Sequence, residues 1–193
     1  MKTKFLLHGG RLKLPDPRND SYFRTLTQDL RNGDEVLCIG FARRSEAERR
    51  EVFEREKKLF MRQTSSAINV VNATYEDLIE QIQVAKAIHI TGGQTAELIE
   101  DIRQYPEFIT ALRGKTVGGS SAGACLFSKY CYSDASKKIL EGLGLLPIRL
   151  LVHYGNPEFG GTEASVLLLE QYSHKLELVC IEECAWVERQ VDL

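Results

Sequence analysis

The chain has 193 residues, 43% of them hydrophobic and 27% charged, with a formal net charge of −2. That is enough apolar material for one core in a single domain, 1–193, and it is the balance of an ordinary soluble protein. A nearly neutral chain has no basic footprint for nucleic acid or an anionic membrane, and no apolar run reaches membrane-spanning length. Five cysteines stand at 38, 125, 131, 180 and 184. The number is odd and three lie in apolar runs, so reduced thiols in a cytoplasmic protein are expected. Cys180 and Cys184 lack the spacing and histidine partners of a zinc site, so neither metal nor cofactor is expected.

Taken in order, residues 4–7 read as a short apolar strand ending in His8-Gly9-Gly10. A Pro-rich loop over 14–20 precedes a helix predicted for 21–31. Residues 35–41 (EVLCIGF) form a continuous apolar run, as in a central parallel strand buried on both faces. The Glu-, Arg- and Lys-rich stretch 45–62 predicts a long helix with a solvated, charged surface. Ser45 is its N-cap, and Glu48 completes a capping box. Strand, helix and strand follow at 67–71, 75–85 and 87–91, and the last strand ends in Gly92-Gly93-Gln94-Thr95. Residues 96–102 read as a helix. After a polar turn at 113–116, a short buried strand from Val117 turns sharply at Ser121, and residues 126–130 can run as a helix. A further strand ends at His153, residues 162–172 read as a helix, and two final strands flank a turn at 182–184.

This alternation implies an α/β fold: three layers, doubly wound, a mainly parallel sheet with helices on both faces. Ligands of such sheets sit at the carboxyl ends of the strands. Gly92-Gly93, Ser121 and His153 all fall there.

Gly119-Ser120-Ser121-Ala122-Gly123 fits G-x-S-x-G, the strand–turn–helix elbow that exposes a nucleophilic serine. Both glycines are expected to lie where a side chain would collide with a neighbouring strand or helix. A serine hydroxyl needs a base in contact, and histidine is the usual one. Of the four histidines, His89 reads as a core residue and His174 as exposed. His153 ends a strand at the same sheet edge as Ser121 and is favoured over His8.

Gly119 to Ala124, together with Gly92-Gly93-Gln94-Thr95 and His153-Tyr154, resembles the peptidase E (aspartyl dipeptidase) family, which has the class I glutamine amidotransferase-like fold. Cys38 to Ala42 is similar to that family's second strand. The resemblance implies a serine-type peptidase, with Ser121 as nucleophile, His153 as base and the N–H groups of Gly93 and Ala122 as the oxyanion hole. For the third triad member it leaves two candidates, Glu183 and Asp134. Three departures from the family pattern bear on specificity: Gln94 in place of Asn, Cys184 in place of Gly, and Val152 rather than Pro before His153. An enzyme that reads an N-terminal aspartate needs a cation, and Arg43 is the first candidate, with Arg44 and Arg149 behind it. The expected partner is a small peptide bound near Arg43 and Gln94, with no nucleic acid or membrane, in a monomer or homodimer. The alternatives are another amide, ester or isoaspartyl hydrolase, as in cyanophycinase-like enzymes, or a catalytically inactive metabolite-binding relative.

Overall fold

Apolar residues alternating with period two assign the two faces of the central sheet. Strand β1 (Lys2–His8) sends Phe5 and Leu7 to one side and Leu6 to the other. Strand β2 (Glu35–Ile39) divides Leu37 and Ile39 from Val36 and Cys38, and β4 (Ala87–Ile90) divides Ile88 and Ile90 from Ala87. With β3 (Asn69–Asn72) and β5 (Thr116–Ser120) they make five parallel strands. An antiparallel edge strand, β10 (Trp186–Asp192), completes the order β10-β1-β5-β4-β2-β3. The computed structural model describes residues 2–193.

Helices α1 (Pro17–Thr27) and α2 (Glu46–Gln63) cover one face with Tyr22, Phe23, Leu26 and Phe60. Helices α3 (Leu78–Val84), α4 (Thr95–Ile102) and α5 (Phe108–Ala111) cover the other, burying Leu78, Ile82, Leu98, Ile99 and Phe108. This is the α/β architecture that the alternation implies. The same core extends into a second sheet, ordered β7-β6-β8-β9. Its strands are β6 (Ser128–Ser133), β7 (Lys138–Glu141), β8 (Leu146–Tyr154) and β9 (Glu177–Glu182). Helix α7 (Glu163–Glu170) packs Leu169 against Leu151 and Tyr132 on its far side.

Three local expectations need correction. Helix α1 starts at Pro17, not at 21. Asp16 is the N-cap, accepting from the Arg18 N–H at 2.8 Å, and Pro17 occupies the first turn, where a missing N–H costs nothing. The helix expected over 126–130 is a turn that runs into a strand at Ser128. Helix α6 (Ala122–Cys125) is a single turn, and Ser128 Oγ donates to the Cys125 carbonyl at 2.8 Å as β6 begins. Helix α2 keeps its capping box and its mostly wet surface, but Val52, Glu56 and Phe60, spaced by four, point inward. All five cysteines are free thiols.

Candidate active site

The elbow explains its own glycines. A Cβ on Gly119 would lie 2.3 Å from the Gly123 carbonyl oxygen, and one on Gly123 would lie 2.3 Å from that of Ile90 on β4. Only bare backbone lets strand, turn and helix approach this closely. Ser121 stands at the corner with φ 52° and ψ −111°, a combination an L-residue holds only when its surroundings impose it. Ser120, the adjacent hydroxyl, is buried.

The surroundings that impose it are three consecutive carbonyls at the end of β1. The His8 oxygen accepts from Ser121 N at 2.9 Å, the Gly9 oxygen from His153 N at 3.0 Å, and the Gly10 oxygen from Cys184 N at 2.9 Å. Cys184 is the neighbour of Glu183, so one tripeptide holds the backbone of three separate turns in register. His153 and Cys184 also sit at positive φ, 56° and 64°. Gly10 itself has φ 108°, and a Cβ there would lie 2.2 Å from the His153 ring. Sequence reasoning took His8-Gly9-Gly10 only as a strand end. The visible signal was the paired glycine at the carboxyl edge of a buried strand.

On this template three side chains meet. Ser121 Oγ lies 2.9 Å from His153 Nε2, and His153 Nδ1 lies 2.9 Å from Glu183 Oε1. A carboxylate accepts only, so Nδ1 carries the proton and Nε2 is the acceptor that faces the serine hydroxyl. Asn156 Nδ2 also donates to Glu183 Oε1, at 3.0 Å, and Arg11 Nε approaches the carboxylate at 3.4 Å. Burial opposes ionisation of Glu183, but the donors His153 and Asn156 and the Arg11 charge outweigh it and hold its pKa below the usual carboxylate range. The imidazole stacks on Phe159, with ring centroids 4.8 Å apart, and the Arg11 guanidinium lies 4.9 Å from the same ring. Arg11, Asn156 and Phe159 were not among the residues singled out from sequence, because only the fold brings them to the imidazole.

The remaining candidates divide. Gly93 has φ 155°, and a Cβ there would lie 2.1 Å from the Ala42 carbonyl oxygen. The same oxygen accepts from Gln94 N at 2.8 Å, which ties the 92–94 loop to the end of β2. Helix α6 is too short to gather a large dipole, so any anion stabilisation at the elbow falls to the Ala122 N–H itself. Gly93, Gln94 and Arg43 line a cavity of about 420 Å³ that also contains Ser121 and His153. Its size is that of a small-ligand site.

Asp134 is elsewhere. It follows strand β6, not a helix, and pairs with Lys137 in the turn to β7. Arg149 is buried and spends its guanidinium on the carbonyls of Leu169 and Leu176, while Arg44 is exposed and pairs with Glu97. His8 is a satisfied core histidine. Its Nε2 donates to Asn19 Oδ1 at 2.8 Å, its Nδ1 accepts from Gly10 N at 3.0 Å, and burial above all lowers its pKa to about 4. His89 is fully buried and His174 is exposed.

No curated protein matches the chain. Several solved structures resemble it, these two among them. A peptidase from an acI-B1 Actinobacterium has a TM-score of 0.72 and 19% identity, over 100% of this chain and 85% of that one. A putative peptidase E protein from Listeria monocytogenes EGD-e has a TM-score of 0.66 and 14% identity, over 100% of both chains. At these identities the likeness speaks for the fold. The sequence itself matches peptidase family S51 over residues 5–192. The chain therefore belongs to peptidase family S51, the peptidase E family of serine-type peptidases.

Proposed function

We propose that residues 1–193 form one catalytic domain that hydrolyses small peptides through a Ser121–His153–Glu183 triad. One observation carries the reading: the 2.9 Å contacts of both His153 ring nitrogens, one to Ser121 Oγ and the other to Glu183. Ser121 Oγ attacks the scissile carbonyl as its proton passes to His153 Nε2. Glu183 stays ionised and stabilises the imidazolium. The N–H groups of Gly93, in the loop after β4, and of Ala122, in the first turn of α6, take the developing oxyanion. His153 then returns the proton to the leaving amine, and the C–N bond breaks. A water, deprotonated by His153, hydrolyses the acyl–Ser121 ester and frees the acid.

The substrate preference follows from Arg43. It lines the cavity beside Gly93 and Gln94, and its Nε is buried without a hydrogen-bond partner. A guanidinium in that position suits a carboxylate, so we propose a preference for N-terminal aspartate. The test compares Asp-Ala with Ala-Ala. Arg43→Ala should raise KM for Asp-Ala by about 30-fold or more, the effect of losing a charged contact of roughly 2 kcal/mol, and leave Ala-Ala nearly unchanged. Equal hydrolysis of both by the unmutated protein would remove the aspartate preference but not the peptidase. Among the described residues no helix is long and apolar enough to cross a membrane. The reading includes a cytoplasmic monomer or homodimer whose partner is the peptide, not nucleic acid or a membrane.

A further inference from the structure

Helix α2 contains a group that neither the fold nor the triad explains. Glu56 is 2% exposed, and its Oε2 lies 2.9 Å from Nε2 of fully buried His89. His89 Nδ1 lies 2.9 Å from the Tyr22 hydroxyl, also fully buried. Aromatic rings surround the pair, with Phe60 5.6 Å and Phe23 6.0 Å from the His89 ring. A carboxylate enclosed this way carries a desolvation penalty that apolar packing of the same volume would avoid, so stability is a weak reason for it to be there. Glu56 remains an anion nonetheless: burial raises its pKa, and His89 and Arg55 lower it by more.

Its remaining oxygen indicates what the chain supports. Glu56 Oε1 accepts from an Arg55 terminal nitrogen at 3.1 Å. Neighbours in a helix point about 100° apart and do not normally meet. The contact therefore draws Arg55 round from the surface into the wall of the cavity that holds Ser121 and His153. One terminal nitrogen is tied to Glu56, while Nε is buried with no partner. Among the described residues, three buried side-chain polar atoms lack a partner: Nε of Arg43, Nε of Arg55 and Oγ1 of Thr91. Two of the three belong to arginines in this one cavity. A buried N–H without an acceptor is costly, and a ligand oxygen removes the cost.

We infer that Arg55 is a substrate-contacting residue that determines specificity: a carboxylate of the peptide docks on its guanidinium, and the buried Tyr22–His89–Glu56 chain positions it. The hydrogen-bond direction is consistent along the chain. Glu56 only accepts, from Arg55 and from His89 Nε2, and in the neutral imidazole Nδ1 then accepts from the Tyr22 hydroxyl, which burial holds protonated. Arg43 supplies one cation for the acyl-side carboxylate proposed above, and Arg55 supplies a second. The carboxylate on Arg55 is either an acidic side chain or the C-terminus of the peptide. The inference rests on the peptidase reading only in taking the cavity as the peptide site.

The test measures binding of Asp-Ala, Ala-Ala and their C-terminal amides to the Ser121→Ala protein, with Arg55 intact or as Arg55→Gln. Binding needs no turnover, so a failure of the nucleophile assignment leaves this test standing. We expect Arg55→Gln to weaken the peptides bearing the recognised carboxylate by about 30-fold or more, and to leave those lacking it nearly unchanged. Loss of the Asp-over-Ala preference identifies a side-chain carboxylate, and loss of the acid-over-amide preference identifies the C-terminus. Arg55→Lys should recover part of the affinity. Glu56→Gln, if it folds, should weaken the same peptides in the same order. In the Ser121 enzyme the loss should fall on KM, with kcat nearly unchanged. Equal weakening of all four peptides, or of none, with a thermal melt unchanged by Arg55→Gln, would overturn the assignment.

Discussion

Replacing Glu183 by glutamine keeps the shape of the side chain and removes its charge. The carboxylate now accepts from His153 Nδ1 at 2.9 Å and Asn156 Nδ2 at 3.0 Å, with Arg11 Nε at 3.4 Å. Glutamine can offer one carbonyl oxygen to the imidazole, but its amide then faces the Arg11 guanidinium, donor against donor. More important, the imidazolium formed as Ser121 attacks loses the anion beside it. Loss of the corresponding carboxylate charge in serine enzymes costs roughly 10⁴- to 3 × 10⁴-fold in kcat, or about 5.5–6 kcal/mol of barrier. We expect that range for Glu183→Gln, measured as initial rates on Asp-Ala, with KM changed by less than about threefold because Glu183 is not part of the cavity wall. Asp134→Asn is the control and should be nearly silent, since Asp134 is bound to Lys137. The lowered pKa of Glu183 sets the pH window. Its stabilising contribution is present above its unfolded value and is lost only as pH falls through the lower folded value. A loss of less than about tenfold in a folded Glu183→Gln protein, or a large loss in Asp134→Asn, would refute the reasoning.

Two further outcomes follow from the β1 template. Gly10→Ala places a Cβ 2.2 Å from the imidazole at φ 108°, so the melting temperature should fall by the equivalent of about 1–3 kcal/mol, and turnover should fall further than the melt accounts for; unchanged kinetics would mean the ring is not confined there. His8 is held neutral, so its stabilising contribution should decline as pH drops from its unfolded value of 6.5 to the folded value of about 4, by about 3 kcal/mol in all. Urea titrations across that range should show the decline in the wild type and a smaller one in His8→Gln; equal declines would assign it to other groups.

What the sequence discloses of this fold is what local physics decides. Ser45 and Glu48 cap α2 within one turn of each other, and the alternation of Phe5, Leu6 and Leu7 assigns faces without a partner strand. The elbow is legible for the same reason, because a side chain at either of its glycines would meet backbone a few residues away or one strand over. Residues 126–130 read as a helix because the strand at 128–133 is made by partners outside the segment, β7 across a turn and β8 more than a dozen residues later. Local propensity carries no trace of that pairing. Asp134 stays out of the site although it follows a strand and not the expected helix, because it is bound to Lys137 in the turn to β7. Glu56 is the instructive miss. Within a run of Glu, Arg and Lys nothing marks one carboxylate as buried except its spacing of four from Val52 and Phe60, and its partner His89 lies on another element.

The central claim, that Ser121 is an activated nucleophile, is tested most directly by mass spectrometry after reaction with a small serine-reactive phosphonate. A single adduct is expected on the peptide carrying the elbow, localised to Ser121. That adduct should be absent in Ser121→Ala, retained in Ser120→Ala, and much slower to form in His153→Ala. An adduct on Ser120, or no adduct in protein that hydrolyses peptides, would contradict it.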